Sequence, residues 1–320
     1  MLSRRSVIAG ISATLAASAA RSQERGPVTL IVPFAAGGST DAIARIVAEA
    51  MRATLGQTVI VENRGGAGGS LGTAAIAHAA PDGLTIGMGT ASTLAINPAA
   101  YVKLPYDVLT DLTPIGAIAD VPNIMSINPG VAAKDMASFI ALAKEKPDGF
   151  AYGSSGNGSV SHLMGEQFKL ATGTKMVHVP YRGVGPALAD VVGGQIQVMF
   201  DNLPTSLALV KDGKLRALAV SAPQRLAVLP DVPTFAELNL AELNWSAFFG
   251  LVAPAHTPEP VVARLNAALN VVLAQSAVRD LLSAQQASVT PGTPAQFAAL
   301  MRREITRMQR ATQAANIRIE

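Results

Sequence analysis

The chain alternates between short apolar runs and longer segments in which apolar residues recur every three or four positions. The first apolar run, residues 28–33, predicts a strand, and residues 40–55 predict an amphipathic helix. Further strands are predicted at residues 58–62 and 84–88, with a helix at residues 71–79 between them. Because these strands are apolar along nearly their whole length, the pattern favours a parallel sheet covered on both faces.

The same alternation starts again in the second half of the chain, after a proline-interrupted segment at residues 97–107. Predicted strands follow at residues 114–119, 123–128, 150–153, 177–180, 196–201 and 215–221, with helices at 138–146, 160–171 and 186–192. An apolar strand at 245–254 and two helices at about 260–275 and 294–315 close the chain. The two halves therefore predict two α/β units of similar plan.

Two loops of small and hydroxyl-bearing residues join a strand to a helix in these two units. The first lies within PFAAGGSTDAIAR, residues 33–45, and the second within GFAYGSSGNGSVSH, residues 149–162. Strand-to-helix turns often use small residues, so either loop alone says little. The repetition of one design in two units predicts two lobes that face each other across a cleft.

The amino terminus predicts export, and the composition removes several classes of function. Residues 1–20 carry Arg4 and Arg5 before a short apolar stretch that ends in small residues, which is typical of a cleaved signal peptide of the twin-arginine or the general secretory route. The chain has no cysteine, which excludes disulfides and thiolate metal sites. Aromatic residues make up 4% and no Lys/Arg cluster occurs, so nucleic-acid binding is not expected.

Phosphate-loop, hydrolase and metal motifs are missing or incomplete. Neither GxxxxGK[ST] nor GxGxxG occurs, which argues against a nucleotide site. Residues 68–72, GGSLG, match the GxSxG pattern of serine hydrolases, but six residues separate Ser70 from the preceding strand. The four histidines are scattered, without HExxH. A secreted serine hydrolase using Ser70 stays a minor alternative.

The two loops themselves have the composition of an anion-binding site. A helix start leaves several backbone N–H groups unpaired, and glycine lets an anion approach them. The first loop offers Gly37, Gly38, Ser39 and Thr40, and the second offers Ser154, Ser155, Gly158, Ser159 and Ser161. Asp41 lies in the first helical turn, where it either caps the helix or contacts a ligand. His162 is read as a polar residue at a helix start that could also touch a ligand.

A set of motifs in fixed order resembles one known family over the whole chain from about Gly26. In order they are PFAAGGSTDAIAR, VENRGGAGGSLGT, AINPAAYVKLPYD, YGSSGNGSVSHL, VHVPYRGVGPALADVVGGQIQVMFDN and KLRALAVSAPQR. The chain is similar to the Bug family of periplasmic solute-binding proteins, which serve tripartite tricarboxylate transporters. That resemblance implies a two-lobed α/β Venus-flytrap fold (type II-like), with a mixed sheet flanked by helices in each lobe.

The resemblance also implies how the chain is divided. Lobe 1 is expected to comprise residues 27–122 plus about 225–320, and lobe 2 about 123–224. The chain is expected to cross between the lobes near residues 120–124 and 222–248. The expected protein is a monomer that binds without catalysis and without a metal or cofactor.

The binding residues that the resemblance implies come from both loops and from walls at residues 90–95, 179–183 and 201–202. They are Phe34, Ala36, Gly37, Ser39, Thr40, Asp41, Ser92, Ser154, Ser155, Gly158, Ser159, Ser161, His162, Tyr181, Arg182 and Asp201. The expected ligand is a small carboxylate, and the expected partners are the membrane components of a transporter. The alternative partner is a sensor kinase that recognises the closed form. Because few basic residues converge, a tricarboxylate is not assumed.

Overall fold

A computed structural model describes residues 26–320, and the predicted signal peptide at residues 1–20 lies outside them. The strands are β1 (Val28–Val32), β2 (Val59–Asn63), β3 (Thr85–Thr90), β4 (Leu112–Val121), β5 (Asn123–Ile127), β6 (Ala151–Ser154), β7 (Val177–Pro180), β8 (Val198–Asn202), β9 (Arg216–Val220), β10 (Ala247–Pro254) and β11 (Ser288–Val289). The α-helices are α1 (Ser39–Leu55), α2 (Ser70–Ala77), α3 (Asn97–Ala100), α4 (Met136–Glu145), α5 (Val160–Thr172), α6 (Val184–Val192), α7 (Leu203–Lys211), α8 (Glu259–Ala274), α9 (Ser276–Ala284) and α10 (Pro294–Ala314).

The strands form two mixed sheets with one shared plan. The first sheet has the order β2-β1-β3-β10-β4-β11, and the second has the order β7-β6-β8-β5-β9. In each sheet three strands run parallel, and the fourth, β10 or β5, is antiparallel to both of its neighbours. β1 and β6 therefore occupy equivalent places, and so do β3 and β8. This confirms the two-lobed α/β fold with a mixed sheet in each lobe.

The helices that cover these sheets are amphipathic. Their apolar residues recur at the helical spacing seen in the sequence and so lie on one face. In α1, Ile43, Ala44, Val47 and Met51 recur every three or four residues, and each is fully buried. The helix ends at Gly56, whose left-handed backbone (φ 63°) lets its N–H donate to the Arg52 carbonyl. The strands they cover are apolar on both faces: all eight residues of β10 are buried.

The chain crosses twice between the lobes, and one asparagine ties the two crossings together. β4 passes into β5 through Pro122, and the return crossing leaves β9 and enters β10. Asn123 is fully buried, and its side chain donates to the Trp245 carbonyl at 2.7 Å. The backbone N–H of Asn123 donates to Ser221 Oγ at 2.7 Å, so both crossings are held side by side.

The segment between β9 and β10 packs first on the second sheet. Leu229, with Leu226 and Val232 beside it, lies against a cluster that includes Ile124 and Val220. Asn244 then bonds the backbone of Ala222 in both directions. The lobe boundaries given above stay predictions.

Several short elements have no counterpart in the prediction. α7 and α9 are absent from it, and residues 92–96 form a π-helical turn directly after β3. α8 and α9 meet at Gln275 with a bend of 78°. Within residues 26–320, no single helix has both the length and the apolar character needed to cross a membrane, and only this bent pair, taken together, has both.

Candidate functional site

A cleft lies between the lobes, where the equivalent loops of the two sheets meet. Its polar lining residues are Gly38, Ser39, Thr40, Thr90, Ser92, Ser155, Ser161, Asp201 and Asn202. Its apolar lining residues are Phe34, Ala35, Ala91, Val160, Val184, Ala247 and Phe249. The empty space between them is about 490 Å³ when the open mouth is counted.

The first loop, residues 34–41, ends in a helix start whose backbone donors are free. Gly38 precedes α1 without a side-chain cap. Within the described residues, the N–H groups of Ser39, Thr40 and Asp41 have no protein acceptor. Unpaired N–H groups at a helix start carry a partial positive charge and suit an anion.

Asp41 holds this first loop in shape from behind. Its carboxylate accepts from the Gly37 N–H at 3.0 Å, from Asn63 Nδ2 at 3.0 Å and from Arg45 Nε at 3.0 Å. Burial acts to raise the pKa of Asp41, but the hydrogen bonds from Arg45, Gly37 and Asn63 outweigh it, so the pKa lies below its usual value. Gly37 itself has φ 87°, a conformation that favours glycine. Asp41 is thus engaged with the loop and does not line the cleft.

The second loop, residues 154–161, also ends in a helix start, that of α5. Here more of the backbone N–H groups already have protein acceptors. Ser159 caps the helix by accepting from the His162 N–H at 3.3 Å. The Val160 N–H donates to Ser92 Oγ of the other lobe at 3.0 Å. In the first turn of α5, this leaves the N–H of Ser161 without a protein acceptor in the described chain.

Two stacked histidines hold the second loop. The rings of His162 and His178 stack with centroids 4.2 Å apart, and Tyr152 stacks on the far side of His178 at 4.9 Å. His162 Nδ1 accepts from the Gly158 N–H at 3.2 Å, and His178 Nε2 lies 2.6 Å from Ser154 Oγ. Ser154 Oγ in turn accepts from the Gly156 N–H.

Burial keeps both rings neutral. It lowers the pKa of His162, and burial together with the neighbouring His162 lowers the pKa of His178 to about 3. Neutrality is needed because the Nδ1 atom of His162 acts as an acceptor, which a protonated ring nitrogen cannot do.

Direct contacts across the cleft show that the lobes are closed. Ser39 Oγ donates to Asn202 Oδ1 at 2.9 Å, and Asn202 Nδ2 donates to Asn123 Oδ1 at 2.7 Å. The first loop is thereby connected through Asn202 to the crossing strands. Outside the cleft lining, the Tyr101 hydroxyl lies 2.9 Å from the Ala67 carbonyl of its own lobe and 3.0 Å from the Asn157 carbonyl opposite.

Asp201 is the ionisable residue that lines the cleft. It stands where β8 ends, and its carboxylate accepts from the Asn202 N–H at 2.7 Å and from Ser206 Oγ at 2.9 Å. Burial raises the pKa of Asp201 to about 7, although Thr205, Ser206 and Asn202 act in the opposite direction. None of the other residues that line the cleft carries an ionisable side chain.

The predicted site residues fall into two groups. Those that line the cleft are Phe34, Ser39, Thr40, Ser92, Ser155, Ser161 and Asp201. Those that lie outside its lining are Ala36, Gly37, Asp41, Ser154, Gly158, Ser159, His162, Tyr181 and Arg182. In the second group, Asp41, Ser154 and His162 hold the loops, Tyr181 donates to Asp190, and Arg182 is exposed. Ligand contact by each of the sixteen stays a prediction.

Three apolar residues that line the cleft were not predicted from the sequence. Val184 comes from the first turn of α6, and Ala247 and Phe249 come from the start of β10. Apolar residues in a strand look alike whether they face a core or a ligand. A signal could have come from the position of β10, since a strand that enters directly from a lobe crossing begins beside the cleft.

Ser70 does not line this cleft, and within the described residues no hydrogen bond joins it to a histidine. It begins α2 and is buried, and its hydroxyl interacts with that of Tyr101. In the described part of the chain, His162 and His178 contact the second loop instead. The geometry of a serine hydrolase is therefore not formed around Ser70. Nor, within residues 26–320, do three acidic or histidine side chains gather where they could hold a metal ion.

Two α/β lobes that close on a cleft lined by helix starts define the class of two-lobed solute-binding proteins. The sequence pattern of the tripartite tricarboxylate transporter family receptor matches residues 43–317. Protein BugT of Bordetella pertussis is 38% identical over 300 residues, which cover 93% of this chain and 91% of that protein. The chain belongs to this family, as its resemblance to the Bug proteins predicted.

Two solved structures of similar fold contain ligands. Rpa4515 of R. palustris, with adipate, is 33% identical with a TM-score of 0.88, covering 92% of this chain and 99% of that one. MatC of Rhodopseudomonas palustris, with bound malate, is 36% identical with a TM-score of 0.86, covering 90% and 99%. Both ligands are small carboxylates.

Proposed function

We propose that the protein captures a small carboxylate in the periplasm and delivers it to the membrane components of a tripartite tricarboxylate-type transporter. Residues 1–20 would direct export and be cleaved. The closed form, with ligand inside, would be the form that the transporter receives. Ligand favours closure because a ligand held by both lobes binds the closed state more tightly than the open one.

The observation that carries the proposal is the convergence of two helix starts from different lobes on one cleft. The starts of α1 and α5 contribute unpaired N–H groups, and the hydroxyls of Thr40, Ser155 and Ser161 have no partner within the described residues. Such donors can satisfy a carboxylate without a cationic side chain. The adipate and malate held by similar proteins support this ligand class.

A thermal-shift screen of small carboxylates tests the proposal. A ligand that binds the folded state alone raises the apparent melting temperature, by an amount that grows with its concentration. The panel contains acetate, propionate, lactate, succinate, malate, adipate and glutamate. We expect at least one of them to stabilise the protein, and a panel without any stabilising carboxylate would overturn the proposal.

A pair of glycine variants locates the binding site. A Cβ at Gly38 would lie 3.3 Å from Val184 Cγ1 of the other lobe, so the side chain in Gly38→Val fills the anion site and holds the lobes apart. A Cβ at Gly185, in α6, meets nothing within 4 Å, which makes Gly185→Val the matched control. Calorimetry should show ligand affinity lost in the first variant and kept in the second. Equal affinity in both variants would contradict the assigned site.

A further inference from the structure

The charge of the closed cleft limits the ligands that can enter it. None of its lining residues is Lys, Arg or His, and Asp201 is the lining residue that carries a carboxylate. Asp201 is only 4% exposed. A carboxylate ligand therefore enters a site where neutral donors stabilise it, and where a second buried negative charge has no cation to pair with.

The surroundings of Asp201 leave its charge uncompensated. The groups that donate hydrogen bonds to it are the Asn202 N–H and the Ser206 hydroxyl, both neutral, while the Thr205 hydroxyl donates to the Asn202 carbonyl.

Asp201 stands at the end of β8, which packs against β5, β6, α5, α6 and α7. The ionisable residues of α5 and α6 are engaged elsewhere: Glu166 pairs with Lys169, His162 bonds the second loop, and Asp190 accepts from Tyr181. Asp201 is the charged residue of β8, β5 has none, and α7 has only Lys211 at its opposite end.

Residues that face Asp201 across the cleft add no charge either. Ser39, Thr40, Thr90 and Ser92 line that side. The nearest acid of the first loop, Asp41, is turned away from the cleft toward Arg45 and Asn63. A proton can therefore be gained at Asp201 without breaking an ion pair.

We propose, on the basis of the proposed function, that the closed cleft binds a dicarboxylate together with one proton, which is taken up from solution by the Asp201 carboxyl. The raised pKa of Asp201 in the ligand-free protein supports this, since a carboxyl that ionises near neutral pH needs little further perturbation to become protonated. Coupling also works in the other direction: a rise in pH ionises Asp201 and weakens the hold on the ligand.

The test is calorimetry of the full mature protein with succinate, malate and adipate, in phosphate and in Tris buffer at matched pH. The difference in heat between buffers of unlike ionisation enthalpy gives the number of protons taken up. At about pH 8, where Asp201 is ionised in the free protein, we expect an uptake close to one proton. Affinity should then fall about tenfold for each pH unit above about 7.5, as linkage requires for one proton.

Two variants assign the proton. Asp201→Asn keeps the shape of the side chain without its charge, so proton uptake and the pH dependence should both disappear, and affinity at about pH 8.5 should exceed that of the wild type. Asp212→Asn, at the end of α7 in an exposed pair with Lys214, is the control and should behave as the wild type. If Asp201→Asn fails to fold, proton uptake in the wild type still decides the question of coupling.

Each outcome separates this inference from the proposed function. Dicarboxylate binding without proton uptake, or with an uptake that Asp201→Asn leaves unchanged, overturns the inference alone. Binding of monocarboxylates without any dicarboxylate, down to about pH 5.5, also overturns the inference and leaves the function intact. Failure of every carboxylate to bind overturns the proposed function itself.

Discussion

The two loops of the cleft are built on one backbone plan but are held in place by opposite chemistry. The first loop is held by an ionised carboxylate, Asp41, with Arg45 as its counter-charge. The second is held by two neutral imidazoles, His162 and His178, stacked on Tyr152. The first also leaves three N–H groups of its helix start free, and the second leaves one.

This difference assigns the two loops different parts in ligand capture. The first loop has its donors available before the lobes close, so we infer that it makes the first contact with the carboxylate. In the second loop the Val160 N–H donates to Ser92 Oγ, a hydrogen bond that forms only when the lobes meet. The first loop is thus the donor side of the site, and the second is the side that completes closure.

The largest expected effect follows from removing the charged support of the first loop. Asp41→Ala deletes the acceptor of the Gly37 N–H, of Asn63 and of Arg45. We expect the free energy of unfolding to fall by about 2–3 kcal/mol, a range that discounts the exposed side of the Arg45 pair. Carboxylate affinity should fall at least about tenfold. A tenfold change requires the loop, once it has lost its shape, to give up only about 1.4 kcal/mol of binding free energy.

Glu49→Ala provides the control on the same helix. Glu49 pairs with Arg52 on an exposed face, so its loss should change the free energy of unfolding by less than about 0.5 kcal/mol. Urea denaturation and calorimetry measure both quantities. If the two variants unfolded alike, Asp41 would have no special part in shaping the loop.

The next effect concerns the neutral support of the second loop and appears on acidification. The folded state keeps His162 and His178 neutral, whereas in the unfolded chain each has a pKa of about 6.5. At these two sites the unfolded chain binds more protons as the pH falls below about 6.5, so the stability that the histidines contribute decreases toward the folded pKa of His178 at about 3. Asp201, whose pKa is raised from 3.8 to about 7 in the folded state, acts in the opposite direction over this range. By about pH 5 the contribution of the two histidines should have fallen by roughly 1–2 kcal/mol, after allowance for partial exposure.

His178→Gln tests this assignment because it removes one titrating ring. Unfolding measured between about pH 5 and 7.5 should show that acidification destabilises the variant less than the wild type. The contribution of Asp41, whose pKa is lowered from 3.8, would be lost only in stronger acid. An unchanged slope in His178→Gln would place the acid sensitivity elsewhere in the chain.

A smaller effect should distinguish the two bonds that cross the cleft beside the loops. Ser92→Ala leaves the buried Val160 N–H without an acceptor, so the closed state should lose about 1–2 kcal/mol and the ligand about tenfold in affinity. Ser39→Ala removes a donor from Asn202 Oδ1 and should cost about 0.5–1 kcal/mol. If calorimetry showed a larger loss of ligand affinity in Ser39→Ala than in Ser92→Ala, the parts assigned to the two loops would be reversed.

The smallest effect is expected at the contact that Tyr101 makes between the lobes outside the cleft lining. The single hydroxyl hydrogen of Tyr101 serves one of two carbonyls, those of Ala67 and Asn157, so the link between lobes is only partly made at any moment. Tyr101→Phe should speed ligand release about threefold and leave the rate of binding unchanged. Stopped-flow fluorescence measures both rates, and equal release in the two proteins would remove Tyr101 from the closing contacts.

The sequence predicted the elements of both lobes because their spacing is local. The apolar face of α1 and the glycine-rich turn before it lie within about twenty residues of each other, and the repeat at residues 149–162 stands out without a structure. Its comparison with the first loop already indicates two facing lobes. The sheet topology explains why the two loops face each other, because the strands that precede them, β1 and β6, occupy equivalent places in their sheets.

What the sequence could not reveal depends on pairing at long range. His178 stacks on His162 because β7 lies beside β6, an arrangement with no local signal. Asp201 reads as an ordinary acid at a strand end, and only its burial makes it a group that ionises near neutral pH. The wall formed by Phe249 likewise follows from where β10 enters its sheet.

The place of β10 also bears on how the chain reaches this structure. In the first sheet it lies between β3 and β4, and its Phe249 pairs with Thr90 and with Ala119, although it comes more than a hundred residues later in the chain. The second sheet, by contrast, is complete once residue 220 has been made. Contacts between distant segments close slowly. The lobe that begins the chain is therefore the last to be finished, and until β10 is made the edges of β3 and β4 that it will pair with stay open and are prone to aggregation.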